Sequence, residues 1–197
     1  MPTLGIILIY FVGGIPGFNS YSIDMDKKNA FTTIFVIFIA TSLIPLFITI
    51  MLKKIKVITS LQMPNREERK IPFLITCFCY FIAYYYLRYH LELNLNGLIF
   101  YFVFFGMFAT ILGFFITLTW KISIHMIGIG GIVGILTLLS KTNHEVLLYP
   151  LITTIFCAGL IAFSRLQLRA HNLKQIIAGF FLGFGCEMMG LFYLISH

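Results

Sequence analysis

Two histidines and a set of basic residues stand at spacings that suit phosphate chemistry. Ser164-Arg165 is followed after five residues by His171, and after three more by Gln175. Upstream, Lys121-Ile122-Ser123-Ile124-His125 opens an apolar run, and the polar stretch before Pro72 carries Arg66, Arg69 and Lys70. A phosphate monoester needs cations and N–H donors around its oxygens, and arginine supplies a planar, permanently charged fork. Arg165, with Arg66 and Arg69 or Lys70, can form such a cradle, helped by Ser123 and the N–H groups of a helix starting near 122–125. A neutral imidazole can attack phosphorus, and a protonated one can give its proton to a leaving alkoxide. His171 and Gln175, four apart, stack on one face of a helix, where a side chain can hold an imidazole tautomer.

The elements that must position these residues are membrane spans. Of 197 residues, 59% are hydrophobic and 11% charged, and the mean hydropathy is +0.96. A soluble domain carries roughly a quarter charged residues, so the composition predicts a polytopic, all-α integral membrane protein. Nucleic acid is excluded as a partner, because nearly all of the chain is committed to lipid. The net charge of +7 points instead to phosphate-bearing substrates or anionic head groups in the bilayer. A span needs roughly 20 apolar residues, and six segments approach that length: 29–52, 72–88, 97–119, 122–140, 145–163 and 174–196. The Gly- and Pro-rich run 3–17 is shorter and reads as an interfacial or re-entrant element in preference to a seventh, short span. The expectation is one domain over 1–197, with an N-terminal apolar element and loop (1–28) and a six-helix core (29–197).

Counting spans puts the 53–71 loop, the Trp120-Lys121 turn and the 164–174 cluster on one membrane face. Ten of the fourteen basic residues lie there: Lys53, Lys54, Lys56, Arg66, Arg69, Lys70, Lys121, Arg165, Arg169 and Lys174. The positive-inside rule would make that face cytoplasmic. Residues that bind phosphate are not topology signals, so orientation depends on function.

The three polar regions together resemble the signature of the type 2 phosphatidic acid phosphatase superfamily: Lys-x6-Arg-Pro, then Pro-Ser-Gly-His, then Ser-Arg-x5-His-x3-Asp. Ser164, Arg165 and His171 match the third motif, with Gln175 in place of its Asp. Ser123 and His125 match the second, with Ile122 and Ile124 replacing Pro and Gly. Arg66, Arg69, Lys70 and Pro72 supply the chemistry of the first without its spacing. The resemblance implies a lipid phosphate phosphatase without metal or cofactor, with His171 as nucleophile, His125 as general acid and Gln175 behind His171. Arg165, Arg66, Arg69, Lys70, Lys121, Ser123 and Ser164 would hold the phosphate. It also implies a multi-pass protein of a bacterial inner membrane with its site facing the periplasm. A phosphotransferase of the same superfamily and an inactive lipid-binding or transport relative remain open. A prenyltransferase fits less well, since its Asp-rich Mg²⁺ motifs have no counterpart beyond Asp24 and Asp26.

Other residues receive plainer readings. Arg169 and Lys174 suit head-group anchoring, and Tyr84, Tyr85 and Tyr86 an interfacial aromatic belt. His90, His144 and His197 fall on the opposite face. The four cysteines sit in apolar runs as small core residues. Glu67 or Glu68 can offer His171 a carboxylate. Glu187, mid-span, is a functional candidate or a packed, hydrogen-bonded group. Gly130-x3-Gly134 and Gly179-x3-Gly183 would let two helices pack closely and bring the histidines together.

Overall fold

Backbone groups in hydrocarbon must pair within their own segment, so a span-length apolar run is driven to helix. The computed structural model describes residues 2–13, 27–61, 63, 65–89, 98–142 and 144–196. Residues 14–17 of the opening run, Asp24, Asp26, Pro64, His90 and His197 lie outside them. The described residues form α1 (Pro2–Gly13), α2 (Lys27–Phe38), α3 (Ile44–Lys54), α4 (Arg66–Tyr89), α5 (Leu98–Thr119), α6 (Ile124–Thr142), α7 (His144–Gln167) and α8 (Leu173–Ser196). A π-helical stretch, Ile39–Leu43, joins α2 to α3 without a break. Pro45, which cannot donate to the ladder and crowds the preceding turn, lies just beyond it, and such π turns recur at functional sites.

Among the described residues, five helical segments are long and apolar enough to cross a membrane: Phe31–Lys54, Arg66–Tyr89, Leu98–Thr119, Ile124–Lys141 and Leu147–Gln167. The expectation of an all-α membrane protein holds at that level. The sixth expected segment falls on α8, which carries Lys174, Gln175 and Glu187 among its apolar residues and is not one of the five.

The 53–71 loop is shorter than the sequence suggested, because α4 starts at Arg66. Glu67 and Glu68 occupy its first turn, where negative charge suits the helix dipole. Arg66, Arg69 and Lys70 therefore project from a helix. Glu68 anchors what remains of the loop, accepting the Thr59 N–H at 2.9 Å and the Thr59 hydroxyl at 3.0 Å.

The core is centred on α6 and α8, the most extensively packed pair. The glycine stripes face each other across it. A Cβ on Gly179 would stand 2.7 Å from the Ser123 carbonyl oxygen, and one on Gly134 2.6 Å from that of Phe184. Gly130 and Gly183 approach the Phe180 and Ile127 carbonyls more closely still. Ile132, Ile135, Leu136 and Leu139 of α6 are almost wholly buried. The N-terminal element is a short helix packed into this bundle: Ile6 is fully buried, and Gly5 lies against the Phe102 ring.

Candidate functional site

A tight reversal between α7 and α8 places His171. The Leu168 N–H bonds the Ser164 carbonyl at 3.0 Å, and the Ala170 and His171 N–H groups reach back to the Arg165 carbonyl at 3.1 and 3.4 Å. Arg169 takes the left-handed conformation within it, φ 49°, at a cost of about 1–2 kcal/mol for a non-glycine residue. Helix α8 then opens with a reciprocal cap. The Gln175 N–H donates to Asn172 Oδ1 at 3.0 Å, and the Asn172 N–H donates to Gln175 Oε1 at 3.3 Å. This is a capping box with Asn and Gln in the two roles.

That cap fixes the chemistry of His171. An N–H can only donate, so the Gln175 atom facing Asn172 is the carbonyl oxygen. The same oxygen lies 3.1 Å from His171 Nδ1. Nδ1 must therefore carry the ring hydrogen, leaving the lone pair on Nε2. Arg69 Nη1, which also can only donate, stands 2.8 Å from Nε2, in agreement. His171 is buried; burial first, then the Arg69 charge, pull its imidazole down to about 4, against the Gln175 hydrogen bond, which raises it. The ring is neutral at pH 7 with a defined tautomer.

Arg69 reaches His171 Nε2, the Ala170 carbonyl at 3.3 Å through Nη2, and the Met63 carbonyl at 2.8 Å through Nε. One side chain thus ties the 53–65 loop to the α7–α8 turn. Arg165 Nε and Ser123 Oγ are buried with no hydrogen-bond partner among the described residues. Buried polar groups are nearly always satisfied, so an unpartnered guanidinium nitrogen marks a place suited to an anion.

A cavity of about 440 Å³ opens in front of these groups, bounded by Arg69, Arg165, His125 and His171. His125, on the first turn of α6, is exposed to it. Deeper in the bundle its wall is Tyr80, Thr110 and Glu187. The π-helical turn and α3 contribute Thr41, Pro45 and Leu46 on the remaining side.

Of the residues singled out from sequence, Arg69, Arg165, His125 and His171 meet at the cavity, with Gln175 directly behind His171. Arg66, Lys70, Lys121, Ser123 and Ser164 are not on its wall. Arg66 donates to the Thr119 carbonyl at 2.6 Å and pairs with Glu67 at 3.2 Å, and Lys70 also pairs with Glu67. Lys121 lies near enough for Arg69, after burial, to depress its ammonium. With Glu67 and Glu68 engaged in these contacts, the acceptor on His171 Nδ1 is Gln175. Sequence reasoning missed Asn172, although the Asn-x-x-Gln capping pattern was there to find, and missed Thr41, which the Pro45-linked π turn brings to the wall.

The chain matches no protein-family model, no curated protein and no solved structure. Fold and cavity define its class for themselves: a helical bundle with span-length apolar helices and a histidine–arginine cavity at the end where three polar turns meet.

Proposed function

We propose that the chain is a metal-independent lipid phosphate phosphatase, a divergent relative of the type 2 phosphatidic acid phosphatases. The observation that carries this reading is the set tautomer of His171: Nδ1–H held by Gln175, Nε2 directed at Arg69, and Arg165 and His125 on the same cavity. Substrate phosphate lies between Arg69 and Arg165 and draws the Arg69 guanidinium off Nε2. Nε2 attacks phosphorus, the bond from phosphorus to the lipid oxygen breaks, and the leaving alkoxide takes a proton from His125. The phosphate dianion supplies the counter-charge that keeps that proton on His125 beforehand. Gln175 Oε1 accepts the hydrogen bond from the now positive ring. Water then attacks phosphorus and gives its proton to His125, and the P–N bond breaks to return neutral His171 and inorganic phosphate.

Six spans suit this reading. The 24 residues of α8 extend about 36 Å at 1.5 Å per residue, against a hydrocarbon core of roughly 30 Å. The site then sits at the membrane surface, facing the periplasm of a bacterial inner membrane, and Leu46, Phe73 and Phe102 on the cavity wall offer a lipid tail an apolar surface. The second reading, a lipid-binding or transport relative without turnover, is favoured by one feature. Arg69 caps the very lone pair that attack requires, and Gln175 adds no charge to assist.

The test is inorganic phosphate release by purified protein in detergent from a panel of lipid phosphates, with EDTA present. Release should persist in EDTA, and His171→Ala should lower it by about 10³-fold or more while the melting transition stays put. Binding of the same lipids without release by wild-type protein would hand the site to the second reading.

A further inference from the structure

The cavity has a second polar end that the phosphate chemistry does not use. Glu187 of α8 is 3% exposed and lies on the cavity wall. No hydrogen bond or ion pair to its carboxyl is found among the described residues. Of the neighbouring polar groups, Thr110 is engaged elsewhere, its hydroxyl donating to the Gly106 carbonyl at 2.7 Å. Two glycines make room for the carboxyl. A Cβ on Gly106 would stand 3.2 Å from Glu187 Oε1, and one on Gly131 would stand 3.1 Å from its Cγ. Gly131 lies six residues beyond His125 on α6, about 9 Å deeper into the bundle.

A buried carboxyl without a partner is unfavourable in either protonation state, since one form needs donors and the other an acceptor. A hydroxyl answers both needs, as it donates and accepts. We infer that Glu187 is a recognition site for a hydroxyl group borne on the tail-ward part of the ligand, well away from its phosphate. This deepens the phosphatase reading and rests on it: the cradle of Arg69 and Arg165 takes the phosphate, and Glu187 reads the body of the molecule. A lipid phosphate with a purely hydrocarbon tail leaves the carboxyl to water alone; a hydroxylated one replaces that water with its own bond.

The test uses matched alkyl phosphates, octyl and decyl phosphate beside their ω-hydroxy counterparts, with affinity measured calorimetrically on the full-length protein in detergent. Wild-type protein should bind one ω-hydroxy compound about fivefold to tenfold more tightly than its plain partner, the worth of a typical hydrogen bond. Glu187→Leu should abolish that preference, while Glu187→Gln, nearly isosteric, should retain part of it. Equal binding of both partners by wild-type protein, with Arg165→Ala weakening both, would leave the phosphate site standing and reduce Glu187 to a hydrated group. Binding of neither, or binding indifferent to Arg165→Ala, would overturn the phosphate reading and this inference together.

Discussion

The α6–α8 seam and the α2–α3 wall enclose the same cavity with opposite packing. On α6, 61% of the most apolar window is buried, and on the Phe31–Lys54 segment only 17%. The seam has backbone against backbone, with Gly130, Gly134, Gly179 and Gly183 each meeting a carbonyl of the facing helix. In lipid, apolar surface gains nothing by leaving hydrocarbon, so close van der Waals contact between small residues is what holds helices together. The wall has no buried residue on α3 and leaves Leu46, at the cavity, 54% exposed and Phe47 63% exposed. Both histidines start helices of the seam, His125 on α6 and His171 just before α8. Rigid packing therefore sits under the two histidines, and loose packing lies along the α2–α3 side of the cavity.

Breaking the seam should have the largest effect. Gly183→Leu would push a side chain into the Ile127 carbonyl, and overpacking of this kind costs about 1–3 kcal/mol or more. Thermal unfolding in detergent should show the loss, together with collapse of ligand binding. A melting point equal to wild type would mean that the seam yields easily, and the contrast with the wall would fail.

Gln175→Leu is next. It removes both the acceptor on His171 Nδ1 and the partner of the Asn172 N–H. Phosphate release should fall roughly 10²-fold, short of the ~10⁴ measured when a triad aspartate is replaced, with about 1 kcal/mol of stability lost with the cap. Gln175→Glu keeps the reach and adds charge; the rate should rise, and an unchanged rate would argue that the ring's developing charge does not limit turnover.

The pH profile sharpens the same point. With its folded pKa lowered to about 4, against roughly 6.5 unfolded, His171 binds fewer protons in the folded state across that interval. Stability from this group is therefore full above pH 6.5 and declines as pH falls toward 4. Arg69→Gln removes the second cause of the depression, so the acid limb of activity should move upward in pH. An acid limb that stays where it is would assign the depression to burial alone.

The smallest effect belongs to the wall. Phe47→Ala, far from the seam and facing outward, should change stability by less than about 0.5 kcal/mol. A larger loss would show that the wall is packed against something other than lipid.

The helical class, the membrane character and the convergence of three polar turns were legible in the sequence, because each follows from local rules: apolar run length, helix period and the parity of crossings. The contact of His171 with Gln175 was expected from their four-residue spacing, but not by its actual route: His171 precedes α8, and the Asn172–Gln175 cap, not a shared helix face, brings the two together. What the sequence left open was which cation meets the histidine. Arg66, Arg69 and Lys70 are nearly equivalent as letters, and only the start of α4 at Arg66 and its rotation separate them. Arg69 shares a stripe, at intervals of four, four and three, with the buried Phe73, Cys77 and Tyr80, so burying that stripe turns Arg69 inward. Lys70 lies about 100° away, given 3.6 residues per turn, and Arg66 lies a turn nearer the helix end, where it reaches the Thr119 carbonyl. Helix start and rotation are set by packing against the rest of the bundle, and a single line of residues does not contain that packing in any local form.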